Sequence, residues 1–236
     1  ALTVPKTSDG RVLFAVPWHD KIIVGTTDTL IKSHSLEPIA LESEIEFVLE
    51  TAQRFLAKKP TRADVLAVFA GLRPLAAPEK EGQSTKEVSR SHKIFVSETG
   101  LITITGGKWT TYRKIAEDII DKAISEKKLP KKECKTEHLS IRGNQKTSTL
   151  DRENHLYVYG SDIKNIMALQ NNALELKEKI HPDYDFTMAE VAWAIRYEMA
   201  ITLDDILARR VRLLFLDSRA AISSCEKVAR FMAKEL

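Results

Sequence analysis

Residues 102–120 read ITITGGKWTTYRKIAEDII. A β-rich run meets Gly106, Gly107 and Lys108. It then passes, with no proline in the way, into a pattern that puts Ile115, Ile119 and Ala123 on one helical face. A strand-to-helix junction with this chemistry invites a phosphate or cofactor reading, and the spacing narrows it. A Walker A loop needs a glycine five residues before the Gly-Lys pair and a Ser or Thr after the lysine. Ile102 and Trp109 stand there instead. The dinucleotide fingerprint fails as well, because no third glycine follows. Two readings stay open on spacing alone. The glycines let the backbone pass close to a ligand, with free N–H groups at the helix start facing an anion or a polarised carbonyl. Alternatively, the turn is a tight connection that meets no ligand.

Working outward, SRSHKIFVSETGLITITGG reads as a strand pair turning at Glu98, Thr99 and Gly100. The helix after the junction runs from about residue 110 to 127, with Pro130 beyond its end. Upstream, the apolar runs Val12–Val16 and Ile22–Val24 flank the polar His19 and Asp20 as a hairpin or adjacent strands. A helix is expected over about 41–56, and a further strand over 65–69, with GLRPL as its exit. Beyond about residue 138, apart from a short HLYVYG stretch, the pattern is helical. Its strongest segments are 188–200 and 202–216, and a last helix occupies the final 20 residues. The expected class is α+β, an antiparallel-sheet portion followed by an all-helical C-terminal domain. The boundary falls between about 130 and 150, giving domains over 1–138 and 139–236.

With 236 residues, 43% hydrophobic and 29% charged, the chain has a globular profile long enough to bury a core. No apolar run is long enough to cross a membrane as a helix. The start lacks the pattern of a signal peptide and an initiator Met, which suggests a processed or excised chain. Thirty-six basic against 33 acidic residues leave a net charge of +3, which does not predict nucleic-acid binding. Lys127, Lys128, Lys131 and Lys132 read as a solvated helix end. Cys134 and Cys225 form no CxxC motif and read as reduced thiols in a cytosolic setting. His19, His34 and His92 lack metal-ligand spacing, so no metal site is expected.

Arg73 in GLRPL, Arg90 in VSRSHK and Lys108 each fall at or near the end of a β element. Three cations converging there would hold a phosphate; taken singly, each reads equally as a surface charge or half of an ion pair. Gly25 to Asp28, reading GTTD, is a turn or part of a site lining. Arg209, Arg210 and Arg212 lie among core residues. They read as a basic amphipathic surface, or as partners of Asp204, Asp205 and Asp217. Trp193 and Tyr197, at i, i+4, read as packing.

The stretches PKTSDGRVLFAVPWHDKIIVGTTDT, FAGLRPL, SRSHKI, ITGGKWTTYRKIAEDI and RYEMAITLDDILARRVRLLFLD resemble FAD-dependent glycerol-3-phosphate dehydrogenases, in the family's order over most of the chain. The resemblance implies oxidation of sn-glycerol 3-phosphate to dihydroxyacetone phosphate, by hydride transfer from substrate C2 to flavin N5 and onward electron transfer to a quinone. It implies that Arg73 and Arg90 bind the substrate phosphate. Gly106, Gly107, Lys108 and Thr110 then lie against FAD, with Lys108 near the substrate as a catalytic residue. Thr26, Thr27 and Asp28 would face the active-site cavity. The family begins with a GxGxxG domain that this chain does not contain, so the expectation is a C-terminal portion that neither retains FAD nor turns over alone. The implied setting is cytoplasmic, peripheral at the inner face of the plasma membrane, with a homo-oligomer possible. The alternatives are the corresponding part of a glycerophosphate oxidase that uses oxygen, or a helical module for membrane or protein interaction.

Overall fold

The computed structural model describes residues 1–5, 7, 10–31, 33, 35–72, 91–144 and 154–236. Arg73 and Arg90 lie outside the described residues. The described residues form a mixed α+β structure with two small antiparallel sheets. They divide into two compact units, Ala1–Thr29 with Glu37–Ala70 and Arg142–Leu236, and Leu30–Leu36 with Gly71–Ile141.

In the first unit, β1 (Leu2–Val4), β2 (Leu13–Trp18) and β3 (Lys21–Gly25) make a three-stranded antiparallel sheet. Trp18 pairs with Lys21, so His19 and Asp20 alone form the turn; both have left-handed φ, 45° and 62°. Such a two-residue turn matches the twist of the strands it joins. β2 alternates in burial: Leu13 and Ala15 are buried, Phe14 and Val16 exposed. After β3, the Thr29 hydroxyl donates to Glu44 Oε1 at 2.7 Å and the Leu41 N–H to Glu44 Oε2 at 3.0 Å, at the start of α1 (Glu42–Phe55). Burial pushes the Glu44 carboxyl up. The hydroxyls of Thr29 and Thr27 and the Leu41 N–H outweigh it, so the group is held below its ordinary value.

The core of this unit is helical. Its elements are α3 (Ile163–Asn172), α4 (Leu174–Lys177), α5 (Met188–Glu198), α6 (Leu213–Leu216) and α7 (Ser218–Glu235). Met188 to Ala194 are buried all round, so α5 is the central helix. It opens on a capping box, in which the Thr187 N–H donates to Glu190 Oε2 at 2.8 Å. Asp217 starts α7, accepting from the Arg219 and Ala220 N–H groups at 3.0 and 3.1 Å. Tyr184 adds its hydroxyl to the same carboxylate at 3.0 Å.

Three expectations change. Residues 65–69 form no strand; they follow a 3₁₀ turn at Arg62–Asp64 without regular secondary structure. Leu66 O accepts from the N–H and hydroxyl of Ser218, and Phe69 packs on Phe215 at 4.9 Å, so α7 and its entry take the contacts a neighbouring strand would. HLYVYG lies in a 3₁₀ segment, His155–Asp162. The helix expected over 202–216 is broken into a π-type turn at Asp205–Arg210, a left-handed Arg212 (φ 61°) and α6. Val211 and Leu213 are both buried, whereas a continuous helix would set residues two apart about 200° around its axis. The left-handed residue between them turns both inward. Arg209 pairs with Asp205 at 3.0 Å as expected, while Arg210 turns to Glu198 instead. Trp193 and Tyr197 pack ring on ring, 4.4 Å between centroids.

In the second unit, β4 (His92–Val96) and β5 (Ile102–Gly106) form the expected hairpin, with Gly100 left-handed at φ 82°. A 3₁₀ turn, Trp109–Thr111, leads into α2 (Tyr112–Glu126). No residue of α2 is fully buried; Ile115, Ile119 and Ala123 are half-buried on the expected face. Ion pairs at i, i+4 support it: Arg113–Glu117 at 2.6 Å, Lys114–Asp118 at 3.0 Å and Lys122–Glu126 at 2.6 Å. Among the described residues, no helix is long and apolar enough to cross a membrane.

Candidate functional site

The Gly106-Gly107-Lys108 junction lies within the second unit and is fully described. β5 ends at Gly106, paired with His92, and Gly106 and Gly107 are both left-handed, with φ of 77° and 86°. A Cβ on Gly107 would lie 2.6 Å from Ile115 Cδ1 and 3.4 Å from His92 Cβ. The turn is therefore pressed between β4 and the first turns of α2, and only glycine fits there. Lys108 follows in extended conformation, and its carbonyl accepts the N–H and hydroxyl of Thr111, both at 2.9 Å. Its side chain is exposed, and its ammonium has no ion-pair or hydrogen-bond partner among the described residues. Thr110 is exposed beside it. Trp109 (86% exposed) and Tyr112 stack at 5.7 Å. A free ammonium next to a helix N-terminus attracts negative charge.

A second feature adjoins this turn. His92 Nε2 lies 2.9 Å from Asp118 Oδ2, and Lys114 Nζ is 3.0 Å from Asp118 Oδ1. Lys114 first, and His92 after it, hold the Asp118 carboxyl below its ordinary value. Metal-ligand spacing, the one role weighed for His92 from sequence, does not bear on this contact. The partner of His92 lies 26 residues away, and only the strand register that opposes His92 to Gly106 reveals the pair. No group of His, Cys, Asp and Glu able to hold a metal ion occurs among the described residues.

The other candidates are distributed differently. Arg73 and Arg90 fall outside the described residues. Thr26, Thr27 and Asp28 belong to the first unit, where the Thr27 hydroxyl is turned to Glu44. The first unit also carries an open groove of about 410 Å³ lined by Arg142, Asn165, Trp193 and Tyr197; the last two, read from sequence as packing, line it, and none of the expected substrate or cofactor residues does.

Comparison with known proteins places this geometry in context. The family described as the C-terminal domain of alpha-glycerophosphate oxidase matches residues 97–236, a range that includes the whole Gly-Gly-Lys junction. The mitochondrial glycerol-3-phosphate dehydrogenase SDP6 of Arabidopsis thaliana is 36% identical over 263 residues, covering 99% of this chain and 41% of that protein. The mitochondrial glycerol-3-phosphate dehydrogenase of Schizosaccharomyces pombe is 35% identical over 98% of the chain and 43% of its own length. That of Mesocricetus auratus is 36% identical over 98% and 34%. The chain thus spans well under half the length of the curated relatives it matches. Residues 97–236 make up more than half of its own length, and the chain belongs to the family of the C-terminal domain of alpha-glycerophosphate oxidase.

Proposed function

We propose that this chain is the C-terminal portion of an FAD-dependent glycerol-3-phosphate dehydrogenase. Residues 1–138 would form its substrate-binding and flavin-contacting region, and 139–236 its helical domain. The observation that carries the reading is the junction itself. A left-handed glycine pair, with a Cβ on Gly107 blocked by Ile115, lies beside Lys108, whose ammonium has no partner among the described residues, at the start of α2 and within the matched region. That arrangement fits a flavin edge, because the ammonium and helix N-terminus favour the negative charge of a reduced isoalloxazine. When bound, FAD supplies the hydride acceptor for substrate C2. In this reading Gly106, Gly107, Lys108 and Thr110 contact the cofactor, and Lys108 reaches the substrate as a catalytic cation. Arg73 and Arg90 hold the phosphate, and sn-glycerol 3-phosphate leaves as dihydroxyacetone phosphate.

Electron transfer to a quinone, peripheral attachment at a membrane face and homo-oligomer formation belong to the same proposal. The mitochondrial names of the relatives make a mitochondrial membrane the alternative to the plasma membrane. The name of the matched family supports a second acceptor, oxygen, which uptake by the full-length protein would reveal. Steady-state oxidation of glycerol 3-phosphate by the full-length flavoprotein tests the substrate assignment. Arg73→Ala and Arg90→Ala are each expected to raise KM by about 10- to 150-fold, equivalent to a charge-assisted contact of about 1.5–3 kcal/mol. An unchanged KM in both variants would remove the phosphate assignment.

A further inference from the structure

We propose that His92 is a positioning residue for the Gly106-Gly107-Lys108 turn, acting through Asp118. The argument begins at the open end of the β4–β5 hairpin. His92↔Gly106 is the last pair of the ladder, and beyond it the chain turns away with two consecutive left-handed glycines. A ladder end has no further strand pairing to hold it. The helix it leads into has no fully buried residue, so few contacts fix α2 against the hairpin. His92 supplies contacts on both sides of the gap. Its Cβ lies 3.4 Å from where a Gly107 Cβ would stand, so its stem forms one wall of the turn and Ile115 forms the other. Its imidazole reaches across to Asp118 at 2.9 Å, one turn beyond Lys114 on α2.

Asp118 is itself held from the far side. Lys114 bonds its other oxygen at 3.0 Å and also reaches Glu117 at 3.2 Å, and Glu117 pairs with Arg113 at 2.6 Å. His92 is therefore tied to an anchored carboxylate rather than to a free rotor. Both partners are half-buried, with side chains 24% and 30% exposed, where such a bond is stronger than on the open surface. Strand end, glycine turn and helix start are joined through one side chain, and Lys108 is the residue between the two parts so joined. Removing the imidazole loosens the placement of the Lys108 backbone without deleting any group that meets substrate or cofactor.

The functional consequence rests on the proposed dehydrogenase reading; the structural one does not. The test uses the full-length flavoprotein with His92→Ala, His92→Gln, Asp118→Ala and the double alanine variant. Two readouts are taken: amide hydrogen exchange over residues 106–111, and kcat and KM for glycerol 3-phosphate well below the melting temperature. His92→Ala is expected to speed exchange at 106–109 while the middle of β5 keeps its protection, and to lower kcat by about 10- to 100-fold, the scale of a misplaced reacting geometry. His92→Gln, which keeps an N–H donor at similar reach, should recover most of both. The double variant should lose no more than either single change, because the two residues act as one connection. A His92→Ala enzyme with a lower melting temperature but unchanged exchange and unchanged kcat would overturn the proposal, as would additive losses in the double variant. If exchange responds as expected while the parent protein does not oxidise glycerol 3-phosphate, the positioning role stands and the dehydrogenase reading falls.

Discussion

Gly160→Ala is expected to destabilise the first unit by about 3–5 kcal/mol, the upper range for a single substitution. Gly160 has φ 55° and ψ −119°, a conformation that residues with a Cβ rarely adopt. The added methyl would stand 1.9 Å from Gly143 O and 3.0 Å from Gly143 C. Both obstacles are backbone atoms, so no side chain can swing aside, and the two segments must separate. The N–H of Ser161, which donates to Gly143 O at 3.3 Å, would lose its partner in that separation. Backbone strain alone costs about 1–3 kcal/mol, and the displaced packing adds to it. At about 2–4 °C per kcal/mol, thermal unfolding by circular dichroism should show a drop of roughly 6–20 °C. Gly71→Ala, with nothing within 4 Å of the new methyl, provides the comparison and should stay within about 0.5 kcal/mol. Equal melting temperatures for the two variants would contradict the close approach of Gly160 to Gly143.

Glu190→Ala is the second large effect. Glu190 is 1% exposed, yet its carboxylate has a full set of partners. His155 Nε2 lies at 3.0 Å, the Tyr159 hydroxyl donates at 3.2 Å and the Thr187 N–H donates at 2.8 Å. Burial, with Glu190 beside it, pushes the Tyr159 phenol well up, so it remains a neutral donor throughout the working pH range. Truncation takes the acceptor from the half-buried His155 and Tyr159 and from the buried Thr187 N–H, and removes the capping box of α5, the helix at the centre of the core. Each donor left without its acceptor costs about 1–3 kcal/mol, for a total of about 3–5 kcal/mol. Glu190→Gln keeps the shape but turns an NH₂ toward one of the donors, for a smaller cost of about 1–3 kcal/mol. Urea unfolding midpoints should therefore rank wild type above Gln above Ala; an Ala variant as stable as wild type would contradict the network. His155 and Gly160 share one 3₁₀ segment, so the Gly160→Ala and Glu190→Ala losses should combine less than additively.

Much of this was legible in the sequence, for local reasons. The apolar runs Val12–Val16 and Ile22–Val24 around the polar His19 and Asp20, and the ITITGG run with Gly100 before it, announced both strand pairs because run and turn chemistry agreed. What escaped was set by distant partners. The apolar run at 65–69 has strand composition, but its partner is α7, and the bond from Ser218 to Leu66 spans 152 residues. No Gly or Pro marks the break at Arg212; only the joint burial of Val211 and Leu213 requires it. In the candidate site, the Gly-Gly-Lys junction was visible as a motif, whereas the His92–Asp118 contact needed the strand register. Arg73 and Arg90 rest on motif resemblance, which no local spacing supplies.

The central claim, that Lys108 serves a flavin-linked oxidation of glycerol 3-phosphate, is tested most directly by anaerobic mixing of the full-length flavoprotein with that substrate. The wild-type flavin band should bleach on mixing, and Lys108→Ala should bleach about 100-fold more slowly, the scale for losing one preorganised charge-stabilising group. A wild-type protein whose flavin is not bleached by glycerol 3-phosphate, or a Lys108→Ala variant that bleaches as fast as wild type, would contradict it.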